Sequence, residues 1–145
     1  MYLLFYVRIP MMPQHLKRLL FVDDEEGIRL TLAEIFREHG FDVKVASTVP
    51  QAVEVVSSAL FDVLITDLNI SSPGDGFDVI EAMRKAQPDC IKLILTGYPD
   101  FDTALRAIRS GAEDYFTKPA DVEALLAAVD EKLARKSSKA HLGHP

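Results

Sequence analysis

Residues 63–70 of the chain read VLITDLNI. Four apolar or β-branched residues lead directly into the carboxylate of Asp67. The apolar run predicts a buried strand, and a charged group at its end costs free energy unless the charge is paired or used. Asp67 is therefore a candidate functional residue, provided that the fold brings partners to it.

Strand-like and helix-like segments alternate on both sides of this stretch. Apolar or alternating runs typical of strands lie at residues 18–22, 41–46, 62–66, 91–96 and 114–117. Each is followed by a window with apolar residues at helical spacing, and Gly40 and Gly111 stand where the first and fourth helices should stop. The pattern predicts an α/β fold, a parallel sheet of five strands with five helices on both faces. Residues 41–46 alternate as an edge strand does, whereas the inner strands are continuously apolar.

The length of 145 residues suits one domain, which the pattern places at residues 16–135. We interpret residues 1–15 as an N-terminal extension, because their apolar run is too short for a membrane span and lacks the marks of a signal peptide. Residues 136–145 are polar and without periodicity, so we expect a flexible tail or the start of a linker.

Composition narrows the class of partner. The formal net charge of −6 argues against binding to nucleic acid, whose phosphates select a basic face. The single cysteine, Cys90, excludes an internal disulfide and fits a reducing compartment, so we expect a cytoplasmic protein. Cys90 itself is expected to be a packed residue beside a strand.

Polar residues follow four of the predicted strands. Ligands of open α/β sheets bind outside the carboxyl ends of the strands, where these residues would converge. Each has an ordinary explanation as a cap or turn residue, but their joint placement at one edge does not. The set comprises Asp23, Asp24, Asp67, Thr96, Gly97 and Lys118.

The charge of this set predicts a chemistry. Three carboxylates repel one another and Lys118 offsets only one of them, so a divalent cation should balance the rest. Oxygen ligands favour Mg²⁺, with Mn²⁺ as a substitute. A carboxylate such as that of Asp67 can attack phosphorus, while Lys118 and the Thr96 hydroxyl hold the phosphoryl oxygens.

Four motifs resemble the receiver domain of bacterial two-component response regulators: VDD (22–24), LITDLNI (64–70), LILTGY (93–98) and DYFTKP (114–119). The resemblance covers roughly residues 16–135. It implies a flavodoxin-like, CheY-like sheet with strand order 2-1-3-4-5.

The resemblance also implies roles at the phosphorylation site. Asp67 matches the phosphoacceptor. Asp24 and Asp67 are expected to bind Mg²⁺ directly, Asp23 mainly through water, and Asn69 through its backbone carbonyl. Thr96 and Lys118 match the switch hydroxyl and the phosphoryl-binding lysine.

Further implications concern switching. Tyr115 matches the aromatic residue that rotates inward on activation, and the Lys118–Pro119 bond is expected to be cis. In one place the sequence departs from the family, because Pro73 and Gly76 follow the acceptor later than usual. The loop after Asp67 is therefore one residue longer, which affects the expected geometry at Asn69 and the lifetime of the phosphoaspartate.

The resemblance implies a phosphorylated signalling switch that catalyses only its own phosphorylation and dephosphorylation. The expected partners are a sensor histidine kinase or phosphotransfer protein and a downstream output protein or output domain. The surface of the fourth helix, fifth strand and fifth helix would carry the signal and could form a homodimer. No contact with nucleic acid or membrane is expected.

Three other functions are possible for a fold of this kind. A pseudo-receiver would bind proteins without depending on phosphate. A haloacid-dehalogenase-type phosphatase would have a second aspartate where this chain has Asn69, and a flavodoxin-like carrier would have a Gly/Ser/Thr-rich loop where this chain has DDEE (23–26).

Overall fold

A computed structural model of the chain describes residues 15–142. Five parallel strands form one sheet, and their order is 2-1-3-4-5. The strands are β1 (Arg18–Val22), β2 (Asp42–Ala46), β3 (Val63–Thr66), β4 (Ile91–Thr96) and β5 (Asp114–Thr117). The predicted fold class and strand order are confirmed.

Five helices cover the two faces of this sheet. They are α1 (Glu26–Glu38), α2 (Val49–Ser58), α3 (Gly76–Ala86), α4 (Phe101–Ser110) and α5 (Val122–Leu142). Buried side chains of α1 and α5 form one apolar core with one face of the sheet. Those of α2, α3 and α4 form a second core with the opposite face. The sheet therefore has apolar cores on both sides, as a parallel sheet requires.

Burial of the strands follows their position in the sheet. Every residue of β3 and β4 is buried, whereas β2 alternates and β5 is only partly covered. The continuous and alternating runs in the sequence thus distinguished inner strands from an edge strand. Cys90 is buried beside β4, and burial raises the pKa of its thiol to about 12, which confirms it as a packing residue.

Local sequence signals fix the ends of several helices. Asp100 and Thr103 form a reciprocal capping box at the start of α4, and Gly111 ends that helix in the left-handed conformation at φ 91°. Gly40 lies after α1 at φ 98°. Both glycines stop helices where the sequence predicted.

The apolar face of α4 is largely exposed. Phe101 and Ile108 are 79% and 75% exposed, and Ala107 is the buried residue of this helix. The helical spacing of apolar residues was read correctly from the sequence. Spacing alone does not tell whether such a face meets the core or the solvent.

The last helix continues beyond the expected end of the domain at residue 135. α5 reaches Leu142, so residues 136–142 are helical where a flexible tail was expected. The physical reason is that the first helix-breaking residue is Gly143, and an i,i+4 ion pair between Glu131 and Arg135 supports the helix before it. The domain boundaries themselves stay a prediction.

The expected N-terminal extension lies outside the described residues, apart from its last residue, His15. Among residues 15–142, no helix has both the length and the apolar character needed to cross a membrane.

Gly76, the first residue of α3, offers a test of how tightly this helix start packs against the backbone that follows β3. A Cβ at this position would lie 2.0 Å from the carbonyl oxygen of Asp67 and 2.6 Å from the Cα of Leu68. Gly76→Ala should therefore lower the free energy of unfolding by about 2–4 kcal/mol, since backbone must move to admit the methyl group. Urea unfolding followed by circular dichroism measures this loss.

Gly27→Ala is the matched control. No atom lies within 4 Å of a Cβ at Gly27, which sits in the first turn of α1. This variant should gain up to about 1 kcal/mol from its higher helix propensity. Equal effects of the two substitutions would contradict the packing described for Gly76.

Candidate functional site

The sheet brings the predicted polar residues to one rim. Asp23 and Asp67 follow β1 and β3, Thr96 ends β4, and Lys118 follows β5. Backbone hydrogen bonds extend the strand ladder through these positions: the amide of Asp67 donates to the carbonyl of Val22 over 2.9 Å, and that of Lys118 to the carbonyl of Thr96 over 2.8 Å. Strand register therefore holds the side chains in place.

The ammonium group of Lys118 lies at the centre of this rim. Its Nζ is 2.8 Å from Oδ2 of Asp23, 2.9 Å from Oδ2 of Asp67 and 3.1 Å from Oε1 of Glu25. Asp67 and Glu25 accept hydrogen bonds from it. The approach to Asp23 is oblique, so Oδ2 of Asp23 is an ion-pair partner without a hydrogen bond among the described residues. One cation thus serves three anions.

Burial and charge act against each other at this site. Burial raises the pKa of Asp23, and the close contact with the Lys118 ammonium and the hydrogen bond from the amide of Glu25 only partly offset it. For Lys118, burial lowers the pKa, but the contacts with Asp23 and Asp67 outweigh burial and raise it above its ordinary value. Lys118 therefore stays positively charged, and Asp23 carries a charge that the folded protein disfavours.

Glu25 belongs to the site, although the sequence interpretation did not single it out. Asp23, Glu25 and Asp67 each offer a carboxylate oxygen within 4.8 Å of the others. Asp24, expected to be a direct metal ligand, is exposed and outside this group of three. The signal that could have found Glu25 is the acidic run DDEE at residues 23–26.

The loop after Asp67 is ordered by its own side chains. The amide of Asn69 donates to Oδ1 of Asp67 over 3.2 Å, and Oδ1 of Asn69 accepts from the amide of Gly74. The carboxylate of Asp75 accepts from three consecutive backbone amides, those of Ile70, Ser71 and Ser72. The loop is therefore closed on itself by Asp75 and keeps Asn69 beside the candidate acceptor.

The two predicted switch residues lie on β4 and β5. Thr96 is fully buried, and its hydroxyl oxygen accepts from the amide of Tyr98, which leaves the hydroxyl proton to donate. Tyr115 is partly buried, and its hydroxyl lies 3.1 Å from that of Thr103 in the capping box of α4. The Lys118–Pro119 bond is cis, as expected.

The donor set fits a hard divalent cation. Three carboxylates meet one ammonium, so the group carries an excess of two negative charges, from three less one. The buried Oδ2 of Asp23 lies 2.8 Å from the Lys118 ammonium, but it accepts no well-aligned hydrogen bond among the described residues. Carboxylate oxygens in excess of local positive charge are the ligands that Mg²⁺ and Ca²⁺ bind.

The chain is similar to known response regulators. The family model described as response regulator receiver domain matches residues 19–130. The acid tolerance regulatory protein ActR of Rhizobium meliloti (strain 1021) is 37% identical over 116 residues. That match covers 80% of this chain and 59% of ActR, so the chain spans somewhat over half of this relative's length.

Two solved structures extend the comparison to three dimensions. A CheY-like receiver domain protein from Methanospirillum hungatei JF-1 gives a TM-score of 0.82 at 26% identity, over 86% of this chain and 99% of that one. A response regulator from Burkholderia pseudomallei gives 0.74 at 32% identity, over 89% and 75% of the two chains. That structure contains a phosphorylated aspartic acid, a calcium ion and citrate.

The family model covers most of the chain, and both the sheet order and the neighbours in structure are those of CheY-like domains. The resemblance read from the four motifs is confirmed: the chain belongs to the response regulator receiver domain family, whose members act as signalling switches in two-component systems.

Proposed function

We propose that the domain accepts a phosphoryl group on Asp67 from a sensor histidine kinase or a phosphotransfer protein, in a Mg²⁺-dependent reaction. The observation that carries the proposal is the position of the Lys118 ammonium, 2.9 Å from Oδ2 of Asp67 at the rim of the sheet. It places a fixed positive charge where a phosphoryl group on Asp67 would develop negative charge.

The proposed reaction is a nucleophilic attack by the side chain of Asp67. An oxygen of the Asp67 carboxylate attacks phosphorus, the bond between phosphorus and the donor imidazole breaks, and the imidazole takes up a proton from water. Asp67 needs no general base if it attacks as a carboxylate. Lys118 and the Thr96 hydroxyl then hold phosphoryl oxygens, so positioning and electrostatics supply most of the catalysis.

Mg²⁺, or Mn²⁺ in its place, neutralises charge on the phosphoryl oxygens when it is bound. The residues that would hold it are Asp67 and Asp24 directly, Asp23 mainly through water, and Asn69 through its backbone carbonyl. Support comes from the excess of carboxylates over Lys118 at the rim and from the hydrogen bond between the Asn69 amide and Asp67, which keeps Asn69 close to the acceptor.

Signalling would follow from a shift between two arrangements of the rim. The phosphoryl group binds the arrangement in which Thr96 donates to it, and this draws Thr96 towards Asp67. Tyr115 would then leave Thr103 and turn inward, which changes the surface of α4, β5 and α5. The contact between the Tyr115 and Thr103 hydroxyls supports this route, because it joins β5 to the first turn of α4.

The surface of α4, β5 and α5 is the proposed contact for partners and for a second copy of the chain. The exposed side chains of Phe101 and Ile108 make it apolar enough to bury on association. The partner downstream would be an output protein or an output domain on the same polypeptide. We propose no contact of this domain with nucleic acid or membrane.

Asp67 is expected to be the residue that accepts the phosphoryl group. Incubation with acetyl phosphate and Mg²⁺ should add one phosphoryl group to the intact protein, because Asp67 is held beside Lys118 with an excess of negative charge that the cation relieves. Intact-mass spectrometry measures the gain. The isosteric variant Asp67→Asn and a sample with EDTA should show none.

A folded protein that gains no mass, yet binds beryllofluoride on Asp67, would indicate rapid dephosphorylation through the longer loop. If it binds neither ligand, the phosphorylation-dependent function is wrong and the pseudo-receiver alternative is favoured.

The exposed apolar side chains of α4 are expected to form the contact between two copies of the chain. With beryllofluoride and Mg²⁺ the protein should dimerise, and Ile108→Ser should weaken the dimer about tenfold, since interface anchors contribute more than 1 kcal/mol each. Leu60→Ser is the matched control, because Leu60 is 76% exposed but lies between α2 and β3, far from α4 in the chain. Sedimentation velocity measures both; equal weakening by the two variants would contradict the assignment of this surface.

A further inference from the structure

Lys118 has two directed hydrogen bonds at the rim, and they end on Asp67 and Glu25. The proposed function requires this ammonium to donate to a phosphoryl oxygen. The bond to Asp67 lies at the reacting group itself. Asp23 is an ion-pair partner of the ammonium at 2.8 Å, and Glu25 accepts the second directed hydrogen bond. The N–H group that a phosphoryl oxygen would need is therefore the one now bonded to Glu25.

The three carboxylates around Lys118 differ in their freedom to move. The side chain of Asp23 is buried, and its Oδ1 is also held by the amide of Glu25 over 2.9 Å. Asp67 is buried and receives the Asn69 amide. The side chain of Glu25 is 58% exposed, so it can turn into water at small cost.

We infer that Glu25 is a competing counter-ion for Lys118, which the phosphoryl group must displace, and that it thereby sets how strongly the domain takes up phosphate. In the resting protein Glu25 occupies one hydrogen-bond donor of Lys118. On phosphorylation its place is taken by a phosphoryl oxygen, and its own negative charge opposes the incoming group. This role rests on the proposed function of Asp67.

We infer that Glu25 acts as a partner of Lys118 and not as a metal ligand. Its hydrogen bond goes to the ammonium, 3.1 Å away. The guanidinium of Arg29, near the start of α1, donates to the backbone carbonyl of Asp23 over 3.0 Å. Lys118 is therefore the cation to which the described hydrogen bonds assign Glu25.

The test compares beryllofluoride binding to the full chain at saturating Mg²⁺, followed by ¹⁹F nuclear magnetic resonance. Glu25→Gln keeps the shape of the side chain and removes its charge. It should tighten binding by about two- to fivefold, the effect of losing one partly exposed ion pair. Glu26→Gln removes the same charge from the next residue, which is exposed and outside the group of three carboxylates, and should leave binding unchanged.

The outcomes separate this inference from the function on which it rests. Equal affinity of the unmodified protein and both variants would overturn the role of Glu25 alone. Weaker binding of beryllofluoride or of Mg²⁺ by Glu25→Gln would also overturn it, because Glu25 would then assist the site. Failure of the unmodified protein to bind beryllofluoride, or equal binding by Asp67→Asn, would overturn the proposed function and the inference with it.

Discussion

The ion pairs between Lys118 and the carboxylates of Asp23, Asp67 and Glu25 are the constraint on which the site depends. One ammonium, only 9% exposed, lies within 3.1 Å of three carboxylates, two of which are buried. Without Lys118 the rim would hold several like charges in a partly dry setting, which costs more than a folded domain can usually bear. With it, an excess of negative charge remains, and that excess suits a divalent cation.

The fold makes this arrangement affordable by fixing the charges on strand ends. Four strands lie side by side in the sheet, in the order β1, β3, β4 and β5. Their backbone hydrogen bonds continue to the residues that carry the chemistry. β5 also carries Tyr115, three residues before Lys118, and Tyr115 contacts Thr103 at the start of α4. The charged rim and the exposed apolar face of α4 are thus joined by one short strand and one side-chain contact.

Much of this could be predicted from the sequence, for identifiable reasons. Continuous apolar runs mark buried parallel strands, and the polar residues that follow them must meet at one edge, so the sequence alone predicts that Asp23, Asp67, Thr96 and Lys118 lie together. Contacts between side chains of exposed residues have no such signal. Glu25 reaches Lys118 and Asp24 does not join it, and neither fact follows from spacing. The closure of the loop after Asp67 depends on hydrogen bonds from backbone amides to Asp75, which no periodicity records. The continuation of α5 to Leu142, by contrast, follows from a run without Gly or Pro.

Urea unfolding at neutral pH, with and without Mg²⁺, measures whether the rim carries an unfavourable excess of negative charge that a divalent cation relieves. Because the pKa of Asp23 is raised in the folded protein from 3.8, its ionised form costs stability above that raised pKa, and the cost fades as pH falls through it. We expect Asp23→Asn to be more stable than the unmodified protein in EDTA. The unmodified protein should gain about 1.4 kcal/mol at Mg²⁺ ten times its Kd, whereas the variant, with weaker affinity, should gain less. A less stable Asp23→Asn in EDTA, together with no gain from Mg²⁺, would contradict the account.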